Sequence, residues 1–252
     1  MIFNVNVFLL TIIVIYLLGI EIMMIGSNPY AYAHYFTSDQ SAGFLSLIHQ
    51  IDVEMALMNE TFPSEVSSSY YHAKNAAELI NKTYHLTNAK SPADFHIIYQ
   101  EEQVINDYNS TVQALVVANI VDETLRKYGE AHNAGYDLTN MSNMLITQSI
   151  NPHGMENNDG NELVLVSTGD YQSAQALSRE VINIFERKLK NLAQYESNES
   201  GNGMASVSKV EDSLLELSNL LNNKASPEDL MNIVHTQIHP GLQLTYGLEL
   251  KK

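Results

Sequence analysis

A chain of 252 residues that is 45% hydrophobic holds enough apolar material for one large domain or two small ones. Its 13 Lys and Arg stand against 29 Asp and Glu, and a formal net charge of -16 excludes nucleic-acid partners, which bind through neutralised phosphates. The absence of cysteine excludes disulfides, thiol nucleophiles, iron-sulfur clusters and thiolate-ligated metals, so any metal must rest on His, carboxylate or backbone groups.

The first element is the apolar run VFLLTIIVIYLLGI at residues 7–20, followed by Glu21, IMMIG and the turn-forming SNPY. In AYAHYF, Ala31 and Ala33 occupy the small-residue positions of a signal-peptidase site, so residues 1–33 read as a signal peptide cut after Ala33. The start MIFNVN lacks Lys and Arg, and the run is long enough that a retained membrane anchor is the other open reading. Both readings put the remainder outside the cytoplasm, secreted or held at the outer face of the membrane. Membrane contact is expected only if the segment is retained. Asn-x-Ser/Thr sequons at Asn59, Asn81, Asn109, Asn140 and Asn198 are compatible with glycosylation on export.

Beyond residue 34 the hydrophobic spacing is helical. Phe44, Leu47, Ile48, Ile51, Met55 and Met58 form one stripe of a helix from about Ser38 to Asn59, which Pro63 terminates. A second helix, Ser64 to Leu86, is expected to bury Tyr70, Ala73, Ala76, Ala77, Ile80 and Tyr84, its small residues allowing close contact. A third starts at Ser91-Pro92 and carries apolar residues to Ile120 before Gly129, either as one run of about ten turns or with a bend midway. These elements make an N-terminal helical unit, 34–150. The stretch NPHGMENNDGNELVLVSTGD, 151–170, reads as a linker.

The C-terminal unit, 171–252, holds helices over Tyr171–Tyr195 and Val207–Asn223 and a last one beginning at Ser226. NAKSPADF and NKASPEDL share a Ser cap, Pro at the first helical position and Asp three residues after the cap. That likeness fits either two related three-helix units or a favourable helix start used twice. The expected fold class is all-α, antiparallel helical bundles behind an N-terminal signal or anchor helix.

Two histidine features carry the possible chemistry. Cutting after Ala33 would leave His34 as a free N-terminal histidine, whose amino and ring nitrogens resemble the histidine brace of copper oxygenases. His235 and His239, four apart in NIVHTQIHPGLQ, share a helix face beside Pro240 and form a two-ligand half-site; alternatively both line a helix interface along Leu230, Ile233, Val234, Ile238 and Leu244. His34, His235 and His239 together are therefore the candidate metal ligands, with copper the candidate cofactor. His49, His72, His85, His96 and His132 are scattered and read as structural or exposed, and Glu101 and Glu102 as a solvated face. No Glu has His three residues later, as helical di-iron sites require, and nucleophile-elbow, zinc-protease and nucleotide-binding glycine motifs are absent. No catalytic residue is assigned.

AHYFTSDQSAGFLSLIHQIDVEMALM, YHAKNAAELI and YQSAQALSREVINIFERKLKNL resemble exported helical proteins of ammonia-oxidising archaea. The resemblance implies an envelope protein facing outward, and extends to an accessory role beside the membrane ammonia monooxygenase. The expectation is a non-catalytic binding or accessory subunit with a cell-envelope protein or membrane complex as partner; the alternative is an extracytoplasmic copper-binding protein.

Overall fold

The computed structural model describes residues 39–87, 97–98, 100–101, 109–134, 139, 164–197 and 203–248. His34, Asn140, Asn198, the first Ser-Pro start and the signal segment lie outside the described residues. Among those described there are helices and no strands, the all-α bundle that the spacing predicts.

Helix α1, Gln40–Thr61, begins at Asp39, whose side chain accepts from the Ala42 amide, and ends where Phe62 is forced extended by the proline after it. Helix α2, Val66–Thr87, turns straight back along α1. Ala73, Ala76 and Ala77 are buried, and Gln40 Nε2 donates to the Leu86 carbonyl where the start of α1 meets the end of α2. Tyr70 is a correction: it is 54% exposed, because Ser69, His72 and Ala73 turn the buried face of α2 away from it.

Helix α3 is Ser110–His132. Asn109 is extended and caps the Val112 amide, so the third element is broken there rather than continuous over ten turns. Nor does Gly129 stop it, since the chain leaves the helix at Asn133, which adopts the left-handed conformation at φ 50. Nearly every face of α3 is covered, from Val112 to Ala131.

Helix α4 comprises Thr168–Ile184, a π turn Phe185–Leu189 and Lys190–Ser197. It starts three residues before the Tyr171 that the spacing suggests, because Ser167 caps it: the Asp170 amide donates to Ser167 Oγ, and that hydroxyl is held in place by donating to Asp170 Oδ2 at 2.6 Å. Helix α5 is Gly203–Asn222, and α6 comprises Pro227–Ile233, a π turn Val234–Ile238 and His239–Tyr246. The Ser226-Pro227 start is as expected, with Ser226 capping Asp229 as Ser167 caps Asp170. In α6 the wider turn ends against Pro240, relieving the clash of its ring with the preceding turn; α4 carries the same widening without a proline.

Successive helices run up and down. Tyr171 at the start of α4 donates to the Leu221 carbonyl at the end of α5, and Thr111 at the start of α3 donates to Tyr246 at the end of α6. α1 packs on α2, and α3 packs on α4 across the sequence stretch between the two helical groups. One continuous apolar core runs from Ala42 to Leu248. Leu244 is another correction to the expected interface row, being 83% exposed while Leu230, Ile233, Val234 and Ile238 are buried.

Candidate functional site

The polar interior concentrates where α1 and α3 end and α2 and α4 begin. Glu54 of α1 is 2% exposed, which for a carboxylate demands partners. Its Oε2 faces His72 Nδ1 at 2.7 Å, and its Oε1 accepts from the Ser173 hydroxyl of α4 at 2.7 Å. The other ring nitrogen of His72 lies 3.1 Å from Gln172 Oε1, which also accepts from the Ser68 hydroxyl at 2.7 Å. Both imidazole nitrogens thus face oxygen. A neutral ring donates one N–H, and a ring with the second proton donates to both partners. Ser68 and His72 are one helical turn apart, and Gln172 and Ser173 are consecutive, so two short segments bring three helices into one chain of bonds.

A second network adjoins the first through Tyr71, whose ring meets His72 edge-on at a centroid distance of 5.3 Å. Its hydroxyl donates to Asp170 Oδ1, and Lys127 Nζ of α3 donates to the same oxygen at 2.9 Å. Burial pushes the Asp170 carboxyl upward, but the Lys127 ammonium and bonds from Lys127, Ser167 and Tyr71 outweigh it and hold the carboxyl below its ordinary range. Burial and Arg126 pull Lys127 downward, and Asp170 with Tyr71 outweighs them, so the ammonium is held charged. For Tyr71, burial dominates and raises the phenol. Arg126 is engaged by Glu123 and Glu130 on its own helix.

Over these networks lies a shallow groove lined by Glu65, Val66, Ser68, Tyr71, Thr168 and Gly169. Its floor is tight: a Cβ built on Gly169 would lie 2.6 Å from Tyr71 Cε1 and 2.8 Å from Cγ. Only glycine fits beneath the ring.

The histidine pair lies elsewhere. His235 lies in the π turn of α6 and His239 opens the helical segment after it, their rings edge-on with centroids 5.3 Å apart. His239 Nε2 is 3.2 Å from Asp122 Oδ1 of α3, a partner the spacing did not indicate. Among the described residues no three His, Asp or Glu side chains gather as a metal site. Of the sequons, Asn59 and Asn81 are exposed on α1 and α2, and Asn109 is exposed as the α3 cap. Among the described residues no helix is long and apolar enough to cross a membrane.

Sequence reasoning missed Glu54, Lys127, Asp170, Gln172 and Ser173 and set His72 aside. The detectable signals were a charge inside the apolar run IDVEMALM and the Ser-x-x-Asp cap in STGD. Comparison with protein-family models, with curated proteins and with solved structures finds no match.

Proposed function

We propose that the protein is a non-catalytic binding or accessory subunit of the cell envelope, exported by way of its first 33 residues. The observation that carries this reading is the engagement of the site's reactive side chains. Glu54 with His72 and Asp170 with Lys127 are committed to each other inside helix interfaces, where they fix the register of four helices and stiffen the groove above them. Such a site supports a shaped surface better than it supports acid–base turnover. The AYAHYF segment, the sequons and the resemblance to exported helical archaeal proteins favour an outward-facing location, and a charge of -16 favours a basic protein surface as partner.

Fractionation and mild cross-linking in native cells test the reading. The expected result is a protease-accessible protein outside the cytoplasmic membrane, joined to an envelope protein in a discrete complex. Recovery as a stable monomer without any cross-linked envelope partner overturns it.

A second reading, an extracytoplasmic copper binder using His34, is favoured by the closeness of His235 and His239. It requires His34 as the first residue and native copper that disappears in His34→Ala. N-terminal sequencing that begins at Met1, or no uptake from micromolar copper, removes it.

A further inference from the structure

We propose that Phe62, Val66 and Tyr70, with the groove beside them, form a docking surface for a basic amphipathic helix of a partner protein, an inference that rests on the binding-subunit reading above. The three side chains are 55%, 64% and 54% exposed. Val66 and Tyr70, four apart at the start of α2, form a short outward row, and Phe62 is exposed in the turn that leads into it, an apolar surface suited to the apolar stripe of a docked helix. Exposed Leu244, by contrast, stands on the last turns of α6. The row is continuous with the groove at Val66. The groove wall is stiff, because Tyr71 is clamped by Asp170 and Lys127 and seated on Gly169, so little side-chain freedom is lost when a partner covers it.

Charge selects the occupant. Glu60 and Glu65 are exposed beside the row. The neighbouring cations are committed elsewhere: Lys74 pairs with Glu78, Lys127 with Asp170, and Arg126 with Glu123 and Glu130. Among the described residues no ion pair involves Glu60 or Glu65. A second copy docked symmetrically would bring these carboxylates against their own equivalents, whereas Lys or Arg flanking an apolar stripe would meet them favourably.

The test uses the full protein, fluorescence anisotropy and a helical Leu/Lys peptide of about five turns, with a Leu/Glu peptide of equal length as counterpart. The Leu/Lys peptide should bind and the Leu/Glu peptide should not. Phe62→Ser/Tyr70→Ser, which leaves the charge unchanged, should weaken binding about tenfold or more, whereas Leu244→Ser should not change it. Glu60→Gln/Glu65→Gln should weaken binding and flatten its salt dependence. Wild-type affinity in the Phe62/Tyr70 variant, or equal binding of both peptides, overturns the proposal. So does a dimer in sedimentation equilibrium that the same variant dissolves. A cross-linked envelope partner that maps to another face removes this surface while leaving the binding-subunit reading intact.

Discussion

Gly169→Ala probes the packing on which the site depends. The new methyl would lie 2.6 Å from Tyr71 Cε1. Carbon atoms rest about 3.5–4.0 Å apart, so the ring must retreat by about 1 Å. It has little room to do so, because its hydroxyl is bonded to Asp170, Lys127 Nζ lies 3.3 Å from that hydroxyl, and its edge meets His72. Overpacking costs about 1–3 kcal/mol and a weakened hydrogen bond to a carboxylate about 1.5–3 kcal/mol. Because relief of one partly relieves the other, the expected total is about 2–4 kcal/mol, or roughly 5–15 °C in Tm for a chain of this size. Thermal unfolding of Gly169→Ala, Tyr71→Ala and the double variant measures it. With the ring removed, alanine should cost nothing and contribute its usual helical advantage of about 0.5–1 kcal/mol. If Gly169→Ala stabilises the protein while Tyr71 is intact, the inferred clash is wrong.

Three further outcomes follow from the two networks. His72→Leu leaves Glu54 buried without its imidazole and should cost about 3–5 kcal/mol, whereas Glu54→Leu/His72→Leu should cost less than the sum of the single changes; denaturant titrations that give additive values refute the pairing. Burial lowers His132 below its ordinary value, partly opposed by its bond to the Val164 carbonyl, and Asp170 is also lowered, so each contributes stability present above its unfolded pKa and lost as pH falls. Tm should therefore decline first below about pH 6.5 and again below about pH 4, with His132→Gln removing the upper limb and Asp170→Asn shrinking the lower, to which the lowered Glu123 and Glu180 also contribute; a flat Tm down to about pH 5 contradicts the first. Tyr128→Phe should cost about 0.5–1.5 kcal/mol in thermal unfolding, because the Ala225 carbonyl loses a donor now at 2.6 Å; an unchanged Tm removes that bond from the account.

The helices were legible because apolar spacing and caps are local. Phe44, Ile48 and Ile51 show the buried side of α1 without reference to any other helix, and Ser226-Pro227 announces α6 by its own chemistry. Tyr70 was misread because an aromatic residue at helical spacing looks the same whether it faces a core or an outward surface. The site was less legible for a related reason. Glu54 and Ser173 are 119 positions apart, and a carboxylate in an apolar run reads as an intrusion until the helix supplying its partner is in place. His72 looked like any other histidine because its partners come from α1 and α4, which spacing along α2 cannot reveal.

The burial of α3 also bears on how this protein can change over generations. Ala114, Val116, Val117, Ala118, Ile120 and Val121 are all at 0% exposure, so consecutive positions are enclosed and the helix has almost no free side. In α2, tolerance to substitution should rise and fall with the helical repeat, leaving outward positions open to drift. In α3 that rhythm should vanish into a nearly uninterrupted block of constraint. Relatives too distant to share the surface would then be found first through this inner segment, where α1, α4 and α6 all press on α3.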